Sequence, residues 1–128
     1  YFGFGPGETY MDMHHYAKRG MWKSKASKEY VPYIMPQEHG NHYGVQYLKL
    51  DNGLTFAADK AFEINVSQYS TEELFKKQHA AELQKDGKTH VRIDYKDSGI
   101  GSGSCGPQLM DQYKLSEEEF RFEFVLKI

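Results

Sequence analysis

The chain has 128 residues, and its 16 lysine and arginine residues against 18 aspartate and glutamate residues give a formal net charge of −2. Ten Tyr, eight Phe and Trp22 are far more aromatic residues than a disordered segment carries, so we predict one folded domain over residues 1–128. No stretch concentrates positive charge, which excludes a nucleic-acid partner. No apolar run approaches the roughly 18 residues that span a bilayer, so we predict no membrane-spanning helix.

Cysteine usage and the first residue restrict the class of protein further. The single cysteine, Cys105, excludes an internal disulfide and a zinc site built from several thiolates. It does not discriminate between a cytoplasmic and a periplasmic bacterial location. The sequence begins at Tyr1 inside an aromatic segment, and we interpret it as a piece of a longer polypeptide.

The first third of the chain is predicted to consist of loop and extended segments. Residues 1–16 are rich in Gly, Tyr and Met and predict an ordered loop. Alternating side chains over residues 21–26 predict a strand. Residues 30–35 are predicted to be extended, because Pro32 and Pro36 disfavour a helix around them.

The middle of the chain predicts a hairpin. Residues 43–50 are apolar with only partial period-two alternation, and residues 54–58 form the returning strand. Asn52-Gly53 lies between the two runs, which is the strongest short-range signal for a β-hairpin.

The second half predicts further strands and one helix. Phe62, Ile64 and Val66 alternate with polar residues, as in a half-buried strand whose polar face includes Glu63. Ser70 followed by Glu73 is a capping box that begins a short helix, which we expect to end near residue 81.

Residues 91–95 and 120–126 alternate again and predict two more strands, and residues 98–106 predict a glycine- and serine-rich loop between them. About seven short strands and one helix indicate a mainly β protein, an antiparallel β-sandwich.

The histidines do not form a metal-binding pattern. Adjacent His14 and His15 would point to opposite faces of an extended chain, and His39 and His42 share a predicted turn. His79 stands alone, as does His90, and no spacing matches a zinc site. We therefore expect no metal site in this segment.

A glycosidase site needs two carboxylates that flank the scissile bond. The loop and strand-end candidates are Glu8, Asp12, Glu38, Asp94 and Asp97. Chance alone pairs some of 18 acidic residues, and each candidate is also a natural hydrogen-bond acceptor for a turn or a cap. We expect no catalytic residue in this chain.

Other active-site motifs are also weak. Ser104-Cys105-Gly106 lacks the strand-to-helix context of a nucleophile elbow, and no lysine or helix follows the glycines of residues 99–103 to bind phosphate. Tyr and Trp can stack on sugar rings. The tyrosines predicted in loops, and so open to ligand contact, are Tyr10, Tyr16, Tyr43 and Tyr69.

Four segments resemble, in order, the last domain of glycoside hydrolase family 2 β-galactosidases. Residues 5–12 (GPGETYMD) resemble its Gly-Pro-x-Glu-x-Tyr-x-Asp stretch, and residues 33–41 (YIMPQEHGN) its Tyr-x-x-Pro-x-Glu-x-Gly signature. Residues 62–74 resemble its strand that leads into a helix. Residues 93–95 with 99–107 (GIGSGSCGP) resemble its last strand and glycine loop.

The resemblance implies a fold and a division of labour. The chain would be the C-terminal portion of a galactose mutarotase-like supersandwich. The parent enzyme would hydrolyse terminal non-reducing β-D-galactose residues with retention, using two glutamates on an upstream (β/α)₈ barrel. The resemblance implies no cofactor in this segment, whereas Mg²⁺ and Na⁺ would bind elsewhere in the parent enzyme.

The resemblance also implies a set of pocket residues. The family's glycine loop reaches the mouth of the active site, and some members place there a tryptophan that stacks on the sugar. Cys105 occupies that position, and a thiol cannot stack as an indole does. Gly103, Ser104 and Cys105 are therefore expected to line the substrate pocket.

Three roles remain open for the chain. It could complete a β-galactosidase, with the rest of that polypeptide and the β-galactoside substrate as partners and with homo-oligomers allowed. It could be a standalone carbohydrate-binding or mutarotase-like module that does not hydrolyse sugars. It could also be a purely structural or oligomerisation domain. In each case the segment by itself is predicted to be inactive.

Overall fold

The described residues form six strands, which all pair antiparallel in one sheet. The computed structural model describes residues 1–99 and 105–128. The strands in this part are β1 (Phe2–Gly5), β2 (Lys18–Met21), β3 (Asn41–Lys49), β4 (Thr55–Ser67), β5 (His90–Asp94) and β6 (Val125–Lys127). The described residues contain a single α-helix, α1 (Thr71–Lys76). A mainly antiparallel β fold with one short helix is thus confirmed, and it is consistent with a β-sandwich-like protein.

The sheet has the strand order β2-β1-β3-β4-β5, and β6 pairs with the beginning of β4. The predicted hairpin is confirmed: β3 and β4 are neighbours, and the Leu50 amide donates to the Leu54 carbonyl at 2.9 Å. Gly53 has a φ of +94°, a conformation that glycine adopts without a steric penalty. The Asn-Gly pair therefore sets the register of the two longest strands.

Strand β4 joins two runs that the sequence predicts as separate strands. It pairs with β3 on one side and with β5 and β6 on the other. Asp59, Lys60 and Ala61 are exposed in its middle and interrupt the apolar pattern. The register between β3 and β4 shifts on either side of Val45, which explains the partial alternation in residues 43–50.

Several predicted boundaries are wrong. Residues 21–26 are not a strand, because β2 ends at Met21 and Ala26–Lys28 form a 3₁₀ turn. The predicted loop 1–16 contains β1, in which two of the four residues are glycines that show no side-chain alternation.

Two elements are shorter than predicted. Helix α1 ends at Lys76 rather than near residue 81, because Lys77 is extended, with a ψ of 144°. Within the predicted strand 120–126 only the last two residues belong to β6.

The hydrophobic core lies on one face of the central strands. Its buried members are Val45, Leu48, Phe56, Phe62 and Ile64. Because side chains alternate along a strand, the Glu63 side chain points to the opposite face of β4, next to β5. None of the described helices has the length and apolar character of a membrane-spanning segment.

Candidate functional site

Glu63 is a buried carboxyl group between the sheet and the segment that follows β5. Glu63 is only 2% exposed. One carboxylate oxygen accepts a hydrogen bond from the Asp97 backbone amide at 3.0 Å, and the other accepts from the Asn41 side-chain amide. The sequence predicts Glu63 on the polar face of a half-buried strand. The alternation is confirmed, but the solvent exposure that a half-buried strand implies is wrong for Glu63, because Asn41 and the segment around Asp97 contact the carboxyl group on that face.

The burial of Glu63 changes its acidity. Loss of water around the carboxylate raises its pKa to about 7, although the hydrogen bonds from the Asp97 backbone and the Asn41 side chain oppose the shift. The charges of Asp97 and Asp94 raise the pKa further. The Glu63 carboxyl group therefore titrates near neutral pH.

Asn41 connects Glu63 to the chain that follows β1. Its side-chain amide also donates to the Thr9 carbonyl at 3.0 Å, and the Thr9 amide donates to the Asn41 carbonyl at 2.6 Å. The Thr9 hydroxyl accepts from the Tyr43 amide at 2.8 Å. Both Thr9 and Asn41 are 0% exposed. Glu63 is therefore supported by several buried hydrogen bonds between Asn41, Thr9 and Tyr43.

Arg92, on β5, gathers three of the acidic residues that the sequence singles out. Its guanidinium donates to Asp94 at 2.5 Å, to Asp97 at 3.3 Å and to Glu38. Burial disfavours the charged guanidinium, but attraction by Glu38 and Asp94 outweighs that effect and raises the pKa of Arg92. Burial and the neighbouring Glu38 carboxyl raise the pKa of Asp97 to about 6.

Asp97, Ser98 and Gly99 form the base of the glycine loop (residues 99–107), and we call these three residues the loop base. A side-chain oxygen of Asp97 accepts from the Gly99 amide at 3.2 Å. Gly99 has a φ of +85°, and a Cβ atom at this position would lie 2.2 Å from a carboxylate oxygen of Asp12. Gly99 thus adopts a conformation that favours glycine over every other residue.

The predicted pocket residues are Gly103, Ser104 and Cys105. Gly103 and Ser104 lie outside the described residues. Cys105 is a free, exposed cysteine. Their role in lining a substrate pocket remains a prediction.

Two more acidic candidates lie around this network. Glu8 accepts from the Gly40 amide at 2.8 Å and from the Tyr33 hydroxyl. Asp12 lies against Gly99. Sequence reasoning named both residues, together with Glu38, Asp94 and Asp97, but it missed Glu63, since a glutamate on an alternating strand carries no signal of burial.

The histidines are distributed over separate contacts. The rings of His14 and His15 stack with centroids 4.4 Å apart, so the prediction of opposite faces is wrong because the backbone turns there. His39 contacts the Gln37 carbonyl, and His42 pairs with Glu29 at 2.7 Å. Over residues 1–99 and 105–128, no group of three His, Cys, Asp or Glu side chains is arranged to hold a metal ion.

The tyrosines predicted in loops have different environments. Tyr10 is 1% exposed, so the expectation that it is open to a ligand is wrong, whereas Tyr16 is exposed. Tyr43 is half-buried in β3 and stacks on Phe4. Tyr69 lines an open cleft of about 230 Å³ together with Arg92 and others. This cleft adjoins the Arg92 network on the side of α1.

Comparison with known proteins gives one consistent result. The family model described as β-galactosidase small chain matches residues 1–126. A β-galactosidase of Actinobacillus pleuropneumoniae is 48% identical over 126 residues, which cover 98% of this chain and 12% of that protein. A β-galactosidase of Kluyveromyces lactis is 36% identical over 130 residues (97% and 12%). One of Streptococcus thermophilus is 33% identical over 134 residues (99% and 13%).

The chain therefore spans only 12–13% of the length of these curated relatives. The match nevertheless extends over nearly every residue of the chain, including both sides of the glycine loop. The chain belongs to the β-galactosidase small chain family.

Proposed function

We propose that this chain is the C-terminal accessory segment of a β-galactosidase that hydrolyses terminal non-reducing β-D-galactose residues. In this proposal the glycine loop shapes the mouth of the active site, and Gly103, Ser104 and Cys105 line the substrate pocket. The catalytic glutamates belong to the remainder of the polypeptide. The observation that carries the proposal is the family match over residues 1–126.

The contacts of the acidic residues support a role without catalysis. A retaining glycosidase needs one carboxyl group as the acid and a second as the nucleophile. In this chain Glu38, Asp94 and Asp97 are engaged by Arg92, and Glu8 is engaged by Gly40 and Tyr33. Side chains that are held by ion pairs and backbone amides serve structure better than proton transfer.

The apolar surface near the C-terminus supports packing against further polypeptide. Phe120, Phe124, Val125, Leu126 and Ile128 are all exposed, by 43–97%. Exposed apolar surface of this kind marks contact sites. We expect the isolated chain to self-associate in sedimentation velocity experiments, and a clean monomer at all concentrations would argue against this contact.

A graft tests the proposal. The matching segment of the Actinobacillus pleuropneumoniae β-galactosidase is replaced by this chain, and hydrolysis of a chromogenic β-galactoside is measured. We expect activity in the chimera and none in a truncated enzyme that lacks the segment. A second chimera, in which a Gly-Ser linker of equal length replaces residues 99–107, should stay folded but show a raised KM.

Either of two results would refute the proposal. One is a truncated enzyme as active as the chimera. The other is a linker chimera with unchanged KM and kcat.

A standalone carbohydrate-binding module is the second candidate, and the cleft beside Tyr69 favours it. Titration of galactose into the isolated chain, followed by the Trp22 indole and backbone amide resonances, separates the two. Saturable shifts in the isolated chain would support the module. The accessory role predicts no shifts at high galactose, because the pocket is completed only by the rest of the enzyme.

A further inference from the structure

We propose that Glu63 is a positioning residue, which fixes the start of the glycine loop by holding the Asp97 backbone amide against the sheet. The inference rests on the proposed function, in which the glycine loop borders the active site. A buried strand residue would thus determine where the main chain enters the glycine loop.

The geometry of Glu63 is that of a bridge between two backbones. It lies in β4, where strands pair on both sides, so its Cα position is set by the sheet. Its carboxyl group reaches Asp97, three residues beyond the end of β5, across the polar face. Asn41 contacts the second oxygen and fixes the rotation of the carboxyl group. The bridge therefore transmits the rigidity of the central strand to the loop base.

The backbone amide and the side chain of Asp97 are held by different partners. Glu63 holds the backbone amide, and Arg92 holds the side chain at 3.3 Å. The same Asp97 side chain accepts from the Gly99 amide, the first of the glycine loop. Removal of Glu63 would leave the side-chain contacts but release the main chain, so the direction in which residue 98 leaves the sheet would no longer be fixed.

Glu63 has no role in the hydrophobic core that would explain its burial. An ionisable side chain at 2% exposure costs free energy unless its polar atoms are paired. A leucine at this position would avoid that cost. The contacts that offset the cost in this structure are those to Asn41 and Asp97, and the second of these leads directly into the glycine loop.

Three variants in the active chimera test the inference. Glu63→Leu removes the acceptor at similar volume, and Glu63→Gln keeps a side-chain oxygen that can accept from the Asp97 amide. Ser67→Ala is the matched control, since Ser67 is also buried on β4 and its hydroxyl accepts from the Tyr69 amide, away from the loop.

We expect Glu63→Leu to raise KM by about tenfold, the value of one hydrogen bond of about 1.4 kcal/mol, with little change in kcat. Glu63→Gln should restore most of the loss. Ser67→Ala should leave KM unchanged although it lowers the thermal midpoint. Hydrogen exchange of the Asp97 amide should be slow in the parent chimera and in Ser67→Ala, and fast in Glu63→Leu.

The outcomes separate this inference from the proposed function. If the Gly-Ser linker raises KM but Glu63→Leu does not, Glu63 does not position the loop and the proposed function stands. If neither change alters KM, the proposed function fails as well. If Glu63→Leu does not fold, the parent protein decides: exchange of the Asp97 amide at the rate of an unstructured peptide would overturn the inference.

Discussion

The loop base and the C-terminal segment (residues 106–128) differ in which chemical groups are buried and which are exposed. Beneath the loop base, a polar group is removed from water and paired within the chain: Glu63 is 2% exposed and accepts hydrogen bonds from Asn41 and from the Asp97 amide. At the end of the C-terminal segment, apolar groups remain in water: Leu126 is 49% exposed and Ile128 is 97% exposed.

This difference indicates which region is complete by itself. Buried polar groups cost free energy unless they are paired, and the loop base supplies its own partners. Exposed apolar side chains gain free energy only when another surface covers them. We therefore expect the loop base to keep its structure in the isolated chain and the C-terminal segment to acquire its packing from further polypeptide.

Substitutions in the hydrophobic core and in the terminal strand β6 should differ most. Ile64→Ala in the core should lower the free energy of unfolding by about 2–5 kcal/mol, because it leaves a cavity at a 1% exposed site. Leu126→Ala in β6 should cost less than about 1 kcal/mol in the isolated chain. Urea denaturation of both variants measures the difference, and equal losses would show that the C-terminal segment is already packed.

The buried acid predicts a pH dependence of stability. Glu63 has its pKa raised from 4.5 to about 7 on folding, so the unfolded chain releases this proton at lower pH than the folded chain. The free energy of unfolding should therefore fall as the pH rises from about 4.5 to about 7, by roughly 3 kcal/mol from this group, and should then level off.

Glu63→Gln is the control for this pH effect. The variant should lose the contribution of Glu63, and the difference between the two stability curves isolates it. Identical slopes in the parent chain and in Glu63→Gln would contradict the burial of an ionisable Glu63.

Substitutions of two arginines, one beside the loop base and one in the C-terminal segment, allow a direct comparison of the stability that their ion pairs contribute. Arg92 contacts three carboxylates and its side chain is 29% exposed, whereas Arg121 pairs with Glu123 and its side chain is 84% exposed. Arg92→Ala should cost about 1–3 kcal/mol, because it leaves neighbouring carboxylates to repel one another. Arg121→Ala should change the free energy of unfolding by less than about 0.5 kcal/mol. Thermal unfolding at low salt would detect a reversed order.

The last comparison concerns the helix, which lies in neither region. The Ser70 hydroxyl accepts from the Glu73 amide at 3.0 Å and caps α1. Ser70→Ala should cost about 1 kcal/mol, and Ser70→Asp should restore most of it. Circular dichroism during thermal unfolding measures both. A loss well above that of Arg92→Ala would mean that the helix, rather than the loop base, limits stability.

Local signals in the sequence predicted local structure well. The Asn52-Gly53 hairpin and the Ser70 cap depend on a few adjacent residues, and both are present as predicted. The four motifs that resemble the β-galactosidases likewise lie in a chain whose family match extends over residues 1–126.

Long-range contacts could not be predicted in the same way. The burial of Glu63 depends on Asp97, which is 34 residues away, and that of Asn41 depends on Thr9. Alternation in β4 shows which residues share a face but not what covers that face. Strand β1 was missed because its two glycines carry no side chain to alternate.

The position of the glycine loop is the central claim, and Cys105 provides a direct probe of it. In the active chimera, the rate of alkylation of Cys105 by iodoacetamide is measured by mass spectrometry with and without a saturating competitive galactoside. We predict a several-fold slower rate with the galactoside bound, and no protection in the isolated chain. An unchanged rate in a saturated, active chimera would place Cys105 away from the sugar and would contradict the account.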